Sequence, residues 1–266
     1  MNFFDSCKNG NLILAKKILK LNPNINISDG DEYAFTGACA NGHIVIIKWL
    51  YKLKPDINIS INNEYNFRWA CSNGHIEVAK WLYKIKPDID ISINNEYSFR
   101  WTCFKGQLEV AKWLYKIKPT IDISANNEFA FRWGCSNGHL LVVKWLYEIK
   151  PTIDISCNND FAFREVCVKG NIDLANWLAS INNNYTIDII NGIINYKILT
   201  PIPILTEIIY VKETDLCCIC SVNQTDVITN CKHSFCKSCI SEWYNQNKTC
   251  PYCRGVINYF NKIVIS

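Results

Sequence analysis

Eight cysteine and histidine side chains near the end of the sequence have the types and spacing of metal ligands. In chain order they are Cys217, Cys220, Cys231, His233, Cys236, Cys239, Cys250 and Cys253. Three neighbouring pairs have two residues between their cysteines, which lets one tight turn aim both sulfurs at a tetrahedral zinc ion about 2.3 Å away. Eight ligands predict two closed four-coordinate zinc sites. A closed site has no position for water, so we expect the zinc to be structural and not hydrolytic.

The 15 cysteines are expected to be reduced. The opening residues, MNFFDSCKNG, lack the basic and apolar regions of a secretory signal peptide. No segment approaches the ~18 apolar residues of a membrane span. We therefore expect an intracellular, reducing compartment, where clustered cysteines bind metal sooner than they form disulfides. Cys218, inside the first pair, is expected to be a filler residue.

The order and spacing of these eight residues resemble the RING finger. A PHD finger would place the histidine fifth, and a classical zinc finger would need two histidines. The resemblance implies a small α+β domain with cross-brace topology, at residues 213–266 with its core at 217–254. One zinc would be held by Cys217, Cys220, Cys236 and Cys239, and the second by Cys231, His233, Cys250 and Cys253. A segment this short has too little core to fold alone, so metal binding would supply folding free energy.

Four further residues match RING fingers that bind ubiquitin-conjugating enzymes. By this resemblance Ile219, Trp243 and Pro251 form a shallow apolar groove for the conjugating enzyme. Arg254, directly after the last ligand, matches the basic linchpin that holds ubiquitin against that enzyme. An arginine can donate several hydrogen bonds at once from its rigid fork. Taken singly, Ile219 and Trp243 would be ordinary core residues and Arg254 a solvated charge, but the four together favour a ubiquitin ligase.

A second cysteine pattern runs through the first two-thirds of the chain with a period of 32 residues. Its members are Cys7, Cys39, Cys71, Cys103, Cys135 and Cys167. Glycines and prolines repeat with the same period, which gives six units. Each unit predicts two short helices. The first has the form EYNFRWAC and ends at Asn-Gly, and the second has the form HIEVAKWLYKIK, with apolar residues at helical spacing, and ends before Pro87.

These units resemble the ankyrin repeat. The resemblance lies in the small pair Ala70-Cys71, the Gly74-His75 turn, the second helix and the Asp-Ile-Asp ending. It implies an all-α solenoid over residues 1–190 with an extended face that binds a protein. Residues 191–212 are interpreted as a connection, with part of a degenerate last repeat as the alternative. The period is 32 and not the usual 33, and Tyr65 to Arg68 replace the usual Thr-Pro-Leu-His, so the loop geometry is expected to differ.

The repeated side chains allow both structural and binding roles. The cysteines are expected to be small core residues, because stacked helices lie about 8–10 Å apart, too far for a disulfide. Three histidines, His43, His75 and His139, are expected to stabilise turns, since Asn or Gln replaces them in the other units. For Arg68, Arg100, Arg132 and Arg164 we favour bridges between repeats. A target-binding stripe with Trp69, Trp101 and Trp133 stays open.

These features predict a ubiquitin ligase whose repeats recruit a protein target while the RING finger holds a ubiquitin-charged conjugating enzyme. Transfer would occur without a covalent intermediate on this chain. The alternative is a non-enzymatic adaptor. Nucleic-acid binding is not expected, because the formal net charge is only +4 and no basic stripe is present. The Asn- and Ile-rich repeats look like those of large DNA viruses of amoebae, a likeness that points to a host cytoplasm.

Overall fold

The computed structural model describes residues 2–199, 205–211, 217, 219–220, 224–225, 227–254, 257 and 260–265. The chain divides into two compact units. The first comprises Met1–Trp177 with Gly192–Ile194, and the second comprises Leu178–Asn191 with Asn195–Ser266. In the described part of the chain, every helix is too short or too polar to cross a membrane.

Six helix pairs make up the repeats, as the period predicted. Their helices are α1 (Phe3–Lys8), α2 (Leu12–Leu21), α3 (Asp29–Ala40), α4 (Ile44–Leu53), α5 (Ile61–Ser72), α6 (Ile76–Ile85), α7 (Ile93–Phe104), α8 (Leu108–Ile117), α9 (Ala125–Ser136), α10 (Leu140–Ile149), α11 (Cys157–Val168) and α12 (Ile172–Ile181). The all-α solenoid is therefore confirmed.

The second helix of each repeat follows directly from its sequence. In α6 the apolar residues Val78, Ala79 and Leu82 are buried on one face, as the helical spacing requires. The preceding turn needs Gly74, whose φ is +83°, because a residue without Cβ adopts the left-handed region at little cost. Pro87 follows the end of the helix at Ile85, where its ring prevents continuation.

From the second repeat to the sixth, the first helix of the repeat opens in a way that the sequence pattern did not predict. In α5 three consecutive residues, Asn62, Asn63 and Glu64, have left-handed φ values of 49°, 60° and 59°. The same conformation recurs in α3, α7, α9 and α11. The regular part of the helix therefore begins only after this left-handed opening.

Aromatic and cysteine side chains form the core of the repeats. Phe67 and Cys71 are fully buried, as are their equivalents Phe99 and Cys103 in the next repeat, so the prediction that these cysteines are core residues is confirmed. Burial raises the pKa of Cys7 to about 12, which leaves its thiol protonated. The second-helix tryptophans join neighbouring repeats, with ring centres 6.1 Å apart between Phe67 and Trp113.

The segment after the helices contains strands where the sequence analysis expected a connection. Strands β1 (Tyr185–Ile190) and β2 (Ile193–Ile198) form a two-stranded sheet. Between them Asn191 and Gly192 have φ values of 52° and 78°, the conformation of a tight hairpin turn. Strand β3 (Leu205–Val211) also lies in residues 191–212. Pro201 and Pro203 are outside the described residues.

A four-stranded sheet and one helix surround the cysteine cluster. Strands β4 (Val227–Thr229) and β5 (Ser234–Phe235) pair antiparallel, and helix α13 (Lys237–Gln246) follows them. Strand β6 (Phe260–Ile265) pairs antiparallel with β4 and parallel with β3, so the strand order is β3-β6-β4-β5. This small α+β arrangement agrees with the fold class that the RING resemblance implied.

Candidate metal centres

One turn, one helix and two loops position the eight cysteine and histidine side chains. Cys231 and His233 lie in the turn between β4 and β5, while Cys236 is the N-cap residue of α13 and Cys239 lies in the first turn of that helix. The remaining ligand candidates lie in loops before β4 and after α13. Beneath them, Val227, Phe235, Ile240, Ile257 and Phe260 form a small buried core.

The structure brings the eight side chains together as two groups of four. The first group is Cys217, Cys220, Cys236 and Cys239, and the second is Cys231, His233, Cys250 and Cys253. Within each group the candidate ligand atoms all lie within 4.8 Å of one another. The two groups alternate along the chain, which is the cross-brace arrangement that the RING resemblance implied.

The distances within each group suit a tetrahedral metal ion. Two sulfurs bound 2.3 Å from one tetrahedral centre lie about 3.8 Å apart, and a sulfur and an imidazole nitrogen about 3.6 Å apart. The Sγ atoms of Cys220 and Cys236 are 3.9 Å apart. The Nδ1 atom of His233 is 3.4 Å from Cys231 Sγ and 3.5 Å from Cys250 Sγ. A donor set of seven thiols and one imidazole at these spacings fits two zinc ions.

In the second group, burial and hydrogen bonds shift the pKa values of two thiols in opposite directions. Burial disfavours the charged form of Cys231, but hydrogen bonds from Thr229 and His233 outweigh it and lower the pKa of this thiol to about 6. In the same group, burial raises the pKa of Cys250 to about 11. The thiolate of Cys231 therefore forms more easily than that of Cys250. Metal binding at such a site displaces protons.

The structure also adds two residues to this group that the ligand spacing did not indicate. Thr229 Oγ1 lies 3.0 Å from Cys231 Sγ and 3.1 Å from the His233 carbonyl oxygen. The ring of Tyr252 lies 4.7 Å from that of His233. Both residues orient the ligands from outside, as partners of metal-bound side chains commonly do. Threonine two residues before a ligand carries no distinctive sequence signal, so this role appears only in three dimensions.

The four residues expected to meet a conjugating enzyme lie near these groups in different environments. Ile219 is 40% exposed and lies between the ligand candidates Cys217 and Cys220 in the chain. Trp243 is half-buried against the small core, and its indole Nε1 donates to the Thr249 carbonyl at 2.8 Å. Pro251 is half-buried in the turn after Cys250. Cys218 lies outside the described residues.

Arg254 follows the last ligand at the end of the same turn. Its side chain is exposed, its φ is +63°, and its backbone N–H donates to the Cys250 carbonyl at 2.9 Å. The backbone is thus tied to a ligand residue while the guanidinium extends to solvent. Its role and those of Ile219, Trp243 and Pro251 stay predictions.

The repeated arginines bond within the repeats. Arg68 donates from Nε to the Asn63 carbonyl at 2.7 Å and from Nη2 to the Asn62 carbonyl at 2.9 Å. Its guanidinium also lies 4.5 Å from the centre of the Tyr97 ring in the next repeat. Arg100 and Arg132 make the equivalent bonds and ring contacts. These contacts favour a bridging role, while Arg164 is exposed.

The turn histidines make the contacts expected of structural residues. The Nε2 atoms of His75 and His139 lie 3.1 Å and 3.0 Å from the carbonyl oxygens of Ala40 and Phe104 in preceding repeats. Each ring occupies space beside a glycine of the preceding repeat. Burial lowers the pKa of both histidines, and the bonds to the carbonyls oppose this shift only partly. These two are turn-stabilising residues, as predicted.

Ankyrin repeats and a C-terminal RING finger are the two recognisable parts of this chain. A family model for ankyrin repeats in three copies matches residues 3–95, and one for the Ring finger domain matches residues 215–254. The human ASB11 ankyrin repeat domain has a TM-score of 0.51 and 14% identity, covering 68% of this chain and 84% of that one. This likeness concerns the fold alone.

The relatives in sequence match only the RING finger. RING finger protein 141 of Danio rerio is 50% identical over 50 residues, which is 19% of this chain and 22% of that protein. The E3 ubiquitin-protein ligase RNFT1 of Homo sapiens is 44% identical over 50 residues, 18% of this chain and 12% of that protein. The match thus spans less than a quarter of the length of these relatives. They are vertebrate proteins and lend no support to a viral origin.

Proposed function

We propose that this protein is a RING-type ubiquitin ligase. Its RING finger binds a ubiquitin-charged conjugating enzyme, and its ankyrin repeats recruit a protein target whose lysine receives the ubiquitin. The observation that carries this proposal is the combination of two tetrahedral ligand groups with the exposed Ile219 and the exposed Arg254 beside them. The similarity to RNFT1, named an E3 ubiquitin-protein ligase, supports the same activity.

Two zinc ions are proposed as the resident metals, one in each group of four. Bound there, zinc would hold the loops around β4 and α13 in place and would take no part in transfer, because four protein ligands fill its coordination sphere. The ligand loops carry Ile219 before β4 and Pro251 and Arg254 after α13. Metal binding would therefore fix the positions of the residues that meet the conjugating enzyme.

Transfer would rely on proximity and orientation. A target held on the repeats raises the local concentration of its lysine near the charged enzyme, which converts a bimolecular step into an effectively unimolecular one. Ile219, Trp243 and Pro251 would supply apolar contact to the conjugating enzyme. Arg254 would donate hydrogen bonds that hold ubiquitin in its reactive orientation. No residue of this chain would act as a nucleophile.

The domain boundaries and location belong to the same proposal. We place the ankyrin repeats at 1–190, the connecting segment at 191–212 and the RING finger at 213–266. An intracellular, reducing location fits the need for free thiols at two four-ligand zinc sites. Nucleic acid and membranes are not proposed as partners.

A non-enzymatic adaptor is the second candidate. Trp243 favours it, because its indole donates to the Thr249 carbonyl and its ring packs against the core, contacts that a purely structural tryptophan would make. In that case the RING finger would be a zinc-stabilised binding module that joins a partner to the target on the repeats.

An autoubiquitination assay tests the proposal. The zinc-loaded protein would be incubated with activating enzyme, ubiquitin and a panel of conjugating enzymes. We expect ubiquitin ladders with at least one of them. Ile219→Ala should reduce the rate about tenfold by removing an apolar anchor of the interface. Arg254→Ala should reduce it roughly 10- to 100-fold, as expected for the loss of a charge-assisted hydrogen bond.

Matched variants separate binding from folding. Arg254→Ala keeps a Cβ at the same left-handed φ, so it adds no backbone strain, and Arg254→Lys keeps the charge without the fork. Glu242→Gln, an exposed change on α13, should leave the rate unchanged. All variants should retain the zinc content of the parent. Absence of ladders with every conjugating enzyme, in protein that holds two zinc ions, would favour the adaptor.

A further inference from the structure

The second repeat has the left-handed opening of the later repeats but lacks their arginine. Counting back 32 residues from Arg68 gives Thr36, and counting back from Trp69 gives Gly37. The second repeat therefore lacks both the arginine and the tryptophan that follow the left-handed opening in the third, fourth and fifth repeats. Thr36 and Gly37 are smaller than an arginine and a tryptophan, so they leave part of the corresponding space in this repeat unfilled.

The later repeats show what surrounds the guanidinium group. In the fourth repeat, Arg100 donates from Nε to the Asn95 carbonyl at 2.5 Å and from Nη2 to the Asn94 carbonyl at 3.0 Å. Its Cζ lies 4.8 Å from the centre of the Phe129 ring in the next repeat. Two carbonyl oxygens and one aromatic ring thus form a guanidinium receptor, and the arginine of the same repeat fills it.

The second repeat keeps this receptor although its arginine is absent. Gly30 and Asp31 are the equivalents of Asn94 and Asn95. Gly30 has φ 62° and ψ 45°, and Asp31 has φ 57° and ψ 54°, so their carbonyl groups belong to the same left-handed backbone conformation. Tyr65 stands where Phe129 stands for Arg100. A threonine side chain is too short to reach these carbonyls and has a single donor.

A cavity of about 390 Å³ occupies this position. Gly30, Asp31, Tyr33, Thr36, Gly37 and Tyr65 are among the residues that line it. Within the described residues, the buried Thr36 Oγ1 has no hydrogen-bond partner. The cavity therefore offers a ligand the left-handed turn of Gly30 and Asp31 and two aromatic rings.

The Asp31 carboxylate balances the positive charge of Lys8 in the cavity lining and makes the turn itself attractive to a cation. Where the repeats supply their own arginine, the position equivalent to Asp31 is a neutral asparagine, namely Asn63, Asn95 or Asn127. Here it is an aspartate, which adds a negative charge at the place where the built-in positive charge is missing. Lys8 also lines the cavity, and its Nζ donates to the Tyr33 hydroxyl at 3.4 Å and lies 5.7 Å from that ring centre.

We propose that this cavity binds an arginine side chain of the protein target. The guanidinium would donate to the carbonyls of Gly30 and Asp31, pair with the Asp31 carboxylate and stack on Tyr65, in the place that Arg100 takes two repeats later. A lysine ammonium lacks the planar fork that reaches two carbonyls and a ring together. This inference rests on the proposed target-holding role of the repeats, and its test involves no ubiquitin transfer, so the two can fail separately.

Binding of defined peptides to the full zinc-loaded chain tests the inference. The probe is acetyl-Gly-Gly-Arg-Gly-Gly-amide, compared by titration calorimetry with the same peptide carrying citrulline or lysine. We expect saturable binding of the arginine peptide, with each of the other two at least tenfold weaker. Citrulline keeps the shape of the side chain but removes its charge, so it isolates the electrostatic contribution.

Three variants locate the binding to this cavity. Thr36→Arg should fill the receptor from within, abolish peptide binding and raise the unfolding temperature. Asp31→Asn, which introduces the residue found in the later repeats and so keeps the turn, should weaken binding roughly tenfold. Asp56→Asn, an exposed change outside the cavity, should leave it unchanged. Equal binding of the citrulline peptide, undiminished binding to Asp31→Asn, or no saturable binding to the parent protein would overturn the proposal.

Discussion

At the scale of single residues, the repeated arginines stabilise the repeats against one another. The guanidinium groups of Arg68, Arg100 and Arg132 bond the carbonyls of their own left-handed openings and contact an aromatic ring of the following repeat. Arg100 and Arg132 are only 7% exposed, so a partner protein would reach little of them. Burial lowers the pKa of Arg100, and the nearby Tyr97 and Glu96 only partly oppose this. The group nonetheless stays charged, because guanidinium deprotonates only at very high pH.

Arg100→Ala should destabilise the repeats by about 3 kcal/mol. The change leaves the carbonyl oxygens of Asn94 and Asn95 without their charged donor, and hydrogen bonds to charged groups contribute about 1.5–3 kcal/mol each. Urea unfolding followed by far-ultraviolet circular dichroism measures this difference. Arg164→Ala, at the exposed equivalent position, is the control and should change stability by less than about 0.5 kcal/mol. Equal effects of the two substitutions would contradict the bridging role.

The turn histidines predict that the repeats lose stability in mild acid. Burial lowers the pKa of His75 and His139 below the ordinary value of 6.5, so the unfolded chain binds protons more readily than the folded one. Stability is therefore full above pH 6.5 and falls as the pH drops from 6.5 towards the folded pKa. Unfolding temperatures at about pH 7.5 and about pH 5.5 measure this loss.

The double variant His75→Gln/His139→Gln is the matched control for this pH effect. Glutamine occupies the same turn position in the fourth repeat as Gln107, so the fold should tolerate it. The double variant should lose less stability between the two pH values than the parent. The same pH dependence in both proteins would show that other groups are responsible.

At the scale of elements, local sequence signals predicted the second helices well. Helical spacing, an Asn-Gly turn and a proline after the last turn all agree there. The pair Asn191-Gly192 between two apolar runs is a local sequence signal for the hairpin of β1 and β2, although we interpreted this region as a connection. The pairing of β3 with β6 had no local signal, because its partners are some fifty residues apart.

The left-handed openings were missed for a different reason. Three successive non-glycine residues in this region are costly for the isolated chain, so no propensity rule predicts them. Tertiary contacts make them possible. Arg100 bonds the carbonyls of Asn94 and Asn95, and Ser92 Oγ donates to the buried Glu96 carboxylate at 2.5 Å. The same distinction applies in the RING finger. The eight ligand candidates could be predicted because their spacing is local, whereas the contacts of Thr229 and Tyr252 with them form only in the folded domain.

Substitutions at Asn95 test the strain in the opening of α7. Asn95 is exposed with φ +60°, so its side chain contributes mainly through backbone preference. Asn95→Ala should destabilise the repeats by about 1 kcal/mol, because alanine is less tolerant of the left-handed region. Asn95→Gly should be nearly neutral, because glycine has no Cβ. Chemical denaturation compares the three proteins, and equal stability of the alanine and glycine variants would contradict the assigned strain.

At the scale of the whole molecule, the two units differ in what holds them together. The repeats bury a ladder of phenylalanine, cysteine and aliphatic side chains from Phe3 to Leu178. Among the described residues of the RING finger, the buried cluster has eight members, and three of them are the metal-ligand candidates Cys217, Cys236 and Cys250. With so few apolar side chains, that core supplies little stability on its own.

Removal of zinc should therefore unfold the RING finger while the repeats stay folded. Structural zinc contributes an apparent binding free energy of about 10–16 kcal/mol in small zinc domains at neutral pH, more than a core of this size provides. The intact protein should contain two zinc ions by elemental analysis. Excess chelator should expose residues 217–254 to limited proteolysis while most of the helical circular dichroism persists, and added zinc should restore protection. Cys250→Ser should lower the zinc content while the helical signal stays the same. Continued protection of residues 217–254 after complete loss of zinc would show that the apolar cluster alone supports this fold.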